Sequence, residues 1–164
     1  MGRKFTVQFD NVSVSAAQDF FEVISTASQV IRVLSAFIGQ SGTADFGDAQ
    51  AEGLRILIKR ASGSYTTGSG GTTATPAPHD FVSPAFGGTV RANSTTAAVV
   101  GTGALTTISA ETFNVQAGWY YTPTPEEWIE LNPSQAIIFN LPVAPSDALS
   151  AVSGRVTFEV IGAS

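Results

Sequence analysis

Apolar and polar residues alternate with a period of two over much of this chain. Phe5, Val7 and Phe9 alternate with Thr6 and Gln8, and Val156, Phe158 and Val160 alternate with Arg155, Thr157 and Glu159. Leu54, Ile56 and Ile58 repeat the pattern against Arg55 and Lys59. So do Phe113 and Val115 against Thr112, Asn114 and Gln116, and Ile137, Phe139 and Leu141 form a further set. Successive side chains of a strand point to opposite faces, so each run predicts a strand with one buried face. Asp19–Ser25 and Val30–Ile38 break the rule by carrying apolar residues on both faces, as at Phe20-Phe21 and Ile31 beside Val33 and Leu34. Such runs fit central strands, or strands with one face covered by another subunit.

Turn residues separate the runs. Gly39-Gln40-Ser41-Gly42, Gly87-Gly88, Gly101-Thr102-Gly103, Asn132-Pro133 and the stretch from Pro142 to Asp147 all punctuate the pattern. Pro123-Thr124-Pro125 ends a strand carrying Trp119, Tyr120 and Tyr121. Short strands at this spacing predict a sandwich or barrel. Asp45–Gly53 alone suggests a helical turn or structured loop. Ser62–Asp80 is rich in Gly, Ser and Thr and ends with Pro76 and Pro78, which predicts one long exposed loop within a single domain of residues 1–164.

Composition narrows the function. The 164 residues are 43% hydrophobic but only 13% charged, about half the usual charged fraction. The apolar content argues against disorder, and the apolar runs are too short for a membrane-spanning helix. A net charge of −5 without a basic arm argues against nucleic-acid binding. The absence of cysteine removes disulfides, thiolate metal sites and cysteine nucleophiles. The opening MGRKFTVQFD alternates at once and lacks an apolar signal run, so classical secretion is not expected. Thr, Ser, Asn and Gln stand where most soluble strands carry Lys or Glu. Such a surface is cheaper to desolvate than a charged one, which predicts a homo-oligomer.

Candidate chemistry is sparse. Glu126, Glu127 and Glu130 cluster after Pro125, but neighbouring strand residues point apart and make no acid–base pair alone. Asp45, Asp48 and Glu52 lack the spacing of a calcium loop. His79-Asp80 has no nucleophile elbow to serve, and Gly101-Thr102-Gly103 lacks the last glycine and the strand–helix setting of a dinucleotide site. The Asn11 and Asn93 triplets match a glycosylation acceptor by chance. No cofactor or metal is expected. The aromatic cluster Trp119, Tyr120, Tyr121 and Trp128 holds both tryptophans and suits sandwich core, a subunit interface or a ligand platform. Tyr65 and Phe81 join it as interface candidates.

Four stretches carry a resemblance over most of the chain: KFTVQFDNVSVSAAQDFFEV, GDAQAEGLRILIKRASGSYTTGSGGTTATP, FNVQAGWYYTPTPEEW and LPVAPSDALSAVSGRVTFEVIG. Their texture resembles the small head decoration, or cement, proteins of tailed bacteriophages. The resemblance implies an all-β, jelly-roll-like antiparallel β-sandwich of about eight strands, assembling as a homotrimer. It implies no enzymatic activity, a place on the outer capsid surface of the virion after synthesis in the host cytoplasm, and the major capsid protein as partner. The competing expectation is a carbohydrate-binding, lectin-like host-adsorption module; an enzyme such as a glycoside hydrolase is a third.

Overall fold

The computed structural model describes residues 2–41 and 51–163. In chain order its strands begin with β1 (Arg3–Val14), β2 (Gln18–Ile24), β3 (Gln29–Gln40) and β4 (Gly53–Ser62). Five shorter strands follow: β5 (Tyr65–Thr66), β6 (Thr72–Ala74), β7 (Ala77–Pro78), β8 (Thr89–Ser94) and β9 (Val99–Val100). The chain ends with β10 (Ala104–Asn114), β11 (Trp119–Tyr121), β12 (Ile129–Leu131), β13 (Ala136–Leu141) and β14 (Leu149–Ala163). A single 3₁₀ turn, Pro125–Glu127, separates β11 from β12 among the described residues.

Pairing is antiparallel and nested. β1 pairs with β14, β2 with β13, β3 with β11 and β12 in tandem, and β4 with β10. This is one long hairpin rolled into two sheets, the jelly-roll arrangement. The first sheet runs β11-β3-β14-β1-β7 with β12 also on β3, and the second runs β10-β4-β13-β2-β8-β6. Alternation supplies the core between them: Phe5, Val7, Phe9, Val33, Ile38, Ile56, Ile58, Val156 and Phe158 all turn inward and are buried. Phe5 stacks on Phe158 at 5.7 Å, and Phe9 meets Phe21 at 5.0 Å.

The second sheet also has a covered outer face. Ala61, Ala98, Ala136 and Ile138 form a small separate core there, with Ile24, Tyr65 and Leu105 packed against it. The cover is the chain's own 65–69 and 96–100 segments, joined by the β5–β9 ladder and the Ser69–Thr96 bridge. β2 is therefore central and buried on both sides by this chain, so its doubly apolar sequence calls for no second subunit.

Two sequence expectations differ from the structure. The stretch 62–80 is not one open loop: β5 pairs with β9, β6 extends the second sheet through β8, and β7 extends the first through β1. Its Gly, Ser and Thr residues suit close crossings and short edge pairs as well as they suit a coil. Gly68 illustrates this, because a Cβ there would stand 2.7 Å from Ser94 Cβ and 3.0 Å from the Thr96 carbonyl oxygen. The strand carrying Phe113 starts further back, at Ala104, because a register shift between Thr107 and Ser109 breaks the period and the strand is an exposed edge. The helical turn expected at Asp45–Gly53 falls on residues 42–50, outside the described residues, apart from its end, where Gly53 opens β4.

Left-handed backbone explains two of the asparagines read as glycosylation triplets. Asn11 (φ 57°) lies in the β1 bulge between Phe9 and Val12, and Asn93 adopts φ 54° in β8. Asn tolerates this conformation better than most side chains do. Ala151 holds φ 53° in β14 at the next register shift, between the Val12–Val152 and Val14–Leu149 pairs, without that tolerance.

Candidate interaction surface

The aromatic cluster is split by the strand period. Trp119 points inward, buried, with its ring 5.9 Å from Phe139. Its indole Nε1 donates to Glu111 Oε2 at 2.7 Å, which ties β11 at the edge of one sheet to β10 at the edge of the other. Tyr121 shares the inward side, half-buried and stacked on Trp119 at 6.1 Å. Tyr120, between them, points out and is 61% exposed, its ring 4.8 Å from that of Phe37. Trp128 is half-buried beneath the Arg32 guanidinium, 5.1 Å from its ring centre.

The outer face of the first sheet is laid out in rows by register. Gln8, Arg155, Phe37 and Tyr120 are consecutive partners across β1, β14, β3 and β11. Lys4, Glu159, Arg32 and Glu130 form a charged row nearer the other end. There Arg32 pairs with Glu130 at 2.6 Å and reaches Glu159 at 3.9 Å. The row with Phe37 and Tyr120 floors an open depression of about 530 Å³, flanked by Asp10, Ser153 and Arg155. Phe37 can lie low because residue 39 is glycine: a Cβ there would stand 2.6 Å from the ring. Tyr120 also borders a second depression of about 510 Å³, lined by Glu111, Tyr121, Glu127 and Ile108.

Phe81 stands apart at the tip of an ordered turn. Asp80 holds the turn, its carboxylate accepting from the Val82 amide at 3.1 Å and its carbonyl from the Ser83 amide at 3.0 Å. Phe81 and Val82 are almost wholly exposed. The turn is anchored on both sides: the His79 amide donates to the Lys4 carbonyl, Arg3 donates to the Pro84 carbonyl, and Phe86 is buried against Phe5 and Phe158.

Of the remaining candidate groups, Glu126 is exposed in the 3₁₀ turn, and the others that follow have structural partners. The Thr124 amide and hydroxyl donate to Glu127, Glu130 is paired with Arg32, and Glu52 accepts from the Ser146 amide and hydroxyl. His79 Nε2 shares a 2.7 Å hydrogen bond with the Thr6 hydroxyl, while Asp80 serves its own turn, so the two do not combine on a serine. Asp45 and Asp48 lie outside the described residues. Among the described residues no group of three or more His, Asp or Glu is placed to hold a metal, and no helix is long and apolar enough to cross a membrane.

The sequence reading did not single out Asp19 and Glu22 of β2, both buried under the β5–β9 cover. Asp19 accepts from the Ala98 amide at 2.6 Å and from Asn140 Nδ2 at 2.8 Å; Glu22 accepts from the Gly68 amide at 3.1 Å. Burial raises both carboxyl pKa values, against the lowering pull of these hydrogen bonds and of Lys59 near Asp19 and Arg91 near Glu22. Tyr65 lies over Glu22, and its phenol pKa is pushed up by burial and by the neighbouring carboxylate. The signal was present in DFFE, where acids sit inside a doubly apolar run and so must be buried with partners. Tyr65 is thus part of the cover, whereas Tyr120 and Phe81 are the candidates left facing solvent. No protein-family model, curated protein or solved structure matches the chain.

Proposed function

We propose that this chain is a virion structural protein, a capsid decoration or cement protein. It binds the outer surface of a tailed-phage head as a homo-oligomer and bridges major capsid subunits. The observation that carries this reading is the exposure of Phe81, Val82 and Tyr120 on ordered backbone. Rigid exposed aromatic residues make good contact anchors, because little order remains to be imposed on binding. A net charge of −5 suits the outside of a shell better than its genome-facing side. Reinforcement follows from mass action: a protein that binds only the assembled lattice stabilises it. The test is to add the purified protein to heads that lack it. Saturable co-sedimentation and a higher temperature of head rupture are expected; no co-sedimentation overturns the reading.

One observation favours a second reading, a carbohydrate-binding host-adsorption module. Tyr120 offers a ring beside Gln8 and Asp10 on one side and Glu111 and Glu127 on the other, the mix of apolar platform and hydrogen-bonding groups that sugars need. Reproducible binding on a glycan array that is lost in Tyr120→Ala would favour it.

A further inference from the structure

We infer that the Phe81–Val82 turn of one copy seats in the Phe37–Tyr120 depression of a second copy of this chain. The inference deepens the assembly reading above and rests only on its homo-oligomer part. Three features carry it. The first is that the turn is built before any contact. Asp80 closes it, β7 pairs it to β1, and Phe86 roots it in the core, yet its two central side chains meet only solvent. An ordered element that presents Phe and Val without covering them is a knob without a hole.

The second feature is that the same molecule carries a matching hole. The Phe37–Tyr120 depression has an aromatic floor and is open to solvent. One charge on its rim complements the turn. Arg155, exposed on its rim, has no ion-pair partner among the described residues, and Asp80 beside Phe81 has one carboxylate oxygen left over from the turn. Asp10, on the same rim, is engaged by the Ser153 hydroxyl. The third feature is placement. The turn is pinned beside Arg3 and Lys4, whereas the depression begins at Gln8, four residues or roughly 13 Å further along β1, and runs to Tyr120 on β11, roughly 20 Å across the sheet from β7. The turn therefore cannot fill its own depression, and the contact has to be made between copies. Repeated from copy to copy, such a head-to-tail contact builds a closed ring or an open filament, according to the rotation between copies.

The cysteine-free chain makes the test clean. Phe81→Cys and Tyr120→Cys variants of the full chain are purified separately, mixed and mildly oxidised. A disulfide needs Cα atoms within about 7 Å, so none can form within one molecule carrying both. The expected result is a covalent heterodimer linking residue 81 to residue 120, mapped by peptide mass spectrometry. It should form in preference to either homodimer. Light scattering should show an oligomer for the unaltered chain, and Phe81→Ser with Val82→Ser should weaken association at least tenfold without changing the folded spectrum. A monomer at micromolar concentration, or oligomers that survive the double serine change and give no 81–120 link, overturns the inference. Head binding by such a monomer would leave the decoration reading standing. A clean 81–120 link in a protein that ignores heads would do the reverse.

Discussion

Replacing Asp19 with alanine tests whether buried carboxylates hold the cover on the second sheet. The change strands the Ala98 amide, which donates to Asp19 at 2.6 Å, and leaves Asn140 only the longer 3.4 Å bond to the Gln18 carbonyl. A buried donor without an acceptor costs about 1–3 kcal/mol, and a hydrogen bond to a charged group contributes about 1.5–3 kcal/mol. Removing the carboxylate also removes its own desolvation cost, so the net loss should be about 2–4 kcal/mol. Asp19→Asn keeps an oxygen for Ala98. Its new amide can donate to Asn140 Oδ1 once the Asn140 amide turns over, a change that gives up the long Asn140 bond to the Gln18 carbonyl. That variant should stay within about 1 kcal/mol of the parent. Urea unfolding followed by tryptophan fluorescence gives both values, and amide exchange at Ala98 localises the effect. An alanine variant as stable as the parent, or an asparagine variant as damaged as the alanine one, would refute the reasoning.

Four further outcomes follow from the same structure. The raised pKa values of Asp19 and Glu22 mean that the folded state takes up protons before the unfolded state does, so their contribution to stability grows as pH falls through the raised values toward the ordinary 3.8 and 4.5 and is lost as pH rises back through them. The urea midpoint should thus rise as the pH is lowered from neutral toward the ordinary carboxyl range, and that rise should shrink in Asp19→Asn with Glu22→Gln. Gly68→Ala should cost about 1–3 kcal/mol, because the new methyl meets Ser94 and the Thr96 carbonyl oxygen; thermal unfolding measures it. Trp119→Phe should cost about 1–3 kcal/mol by cutting the bond to Glu111 between the sheet edges, as read by urea unfolding followed by circular dichroism. Ala151→Gly should stabilise by up to about 1 kcal/mol, since it relieves a left-handed alanine at some cost in chain entropy; calorimetry reads the shift.

The framework strands were legible because one face of each is wet and one is dry. Phe5 to Phe9, Leu54 to Ile58 and Val156 to Val160 alternate in the sequence and lie where alternation puts them. β2 was legible as covered on both faces, as a central strand or beneath another subunit, but not in what covers it, because the cover is a polar segment whose contacts are backbone amides on Asp19 and Glu22. Backbone donors leave no mark in a sequence. The start of β10 was hidden by a bulge that shifts the phase at Ile108, and the three strands within 62–80 are too short for a period to show. At the surface, Trp119-Tyr120-Tyr121 told that aromatics cluster, and strand parity sorts them, but which parity faces inward depends on pairing with β3. The exposure of Phe81 follows from an Asp80 turn whose flanks are held by Lys4 and Arg3, partners far from it in sequence and invisible in the local pattern.

The low charge now has a more local meaning. On the first sheet the charged row of Lys4, Glu159, Arg32 and Glu130 sits toward one end, and the aromatic depression lies among Gln8, Ser153 and Arg155 toward the other. A face divided this way can be covered in part without desolvating its ion pairs. The most direct test of the whole account is quantitative mass spectrometry of purified virions of the tailed phage that the account proposes as the source of this chain. The account predicts the chain in intact particles, in a fixed ratio to the major capsid protein. Its absence from purified virions that contain their other head proteins would contradict it.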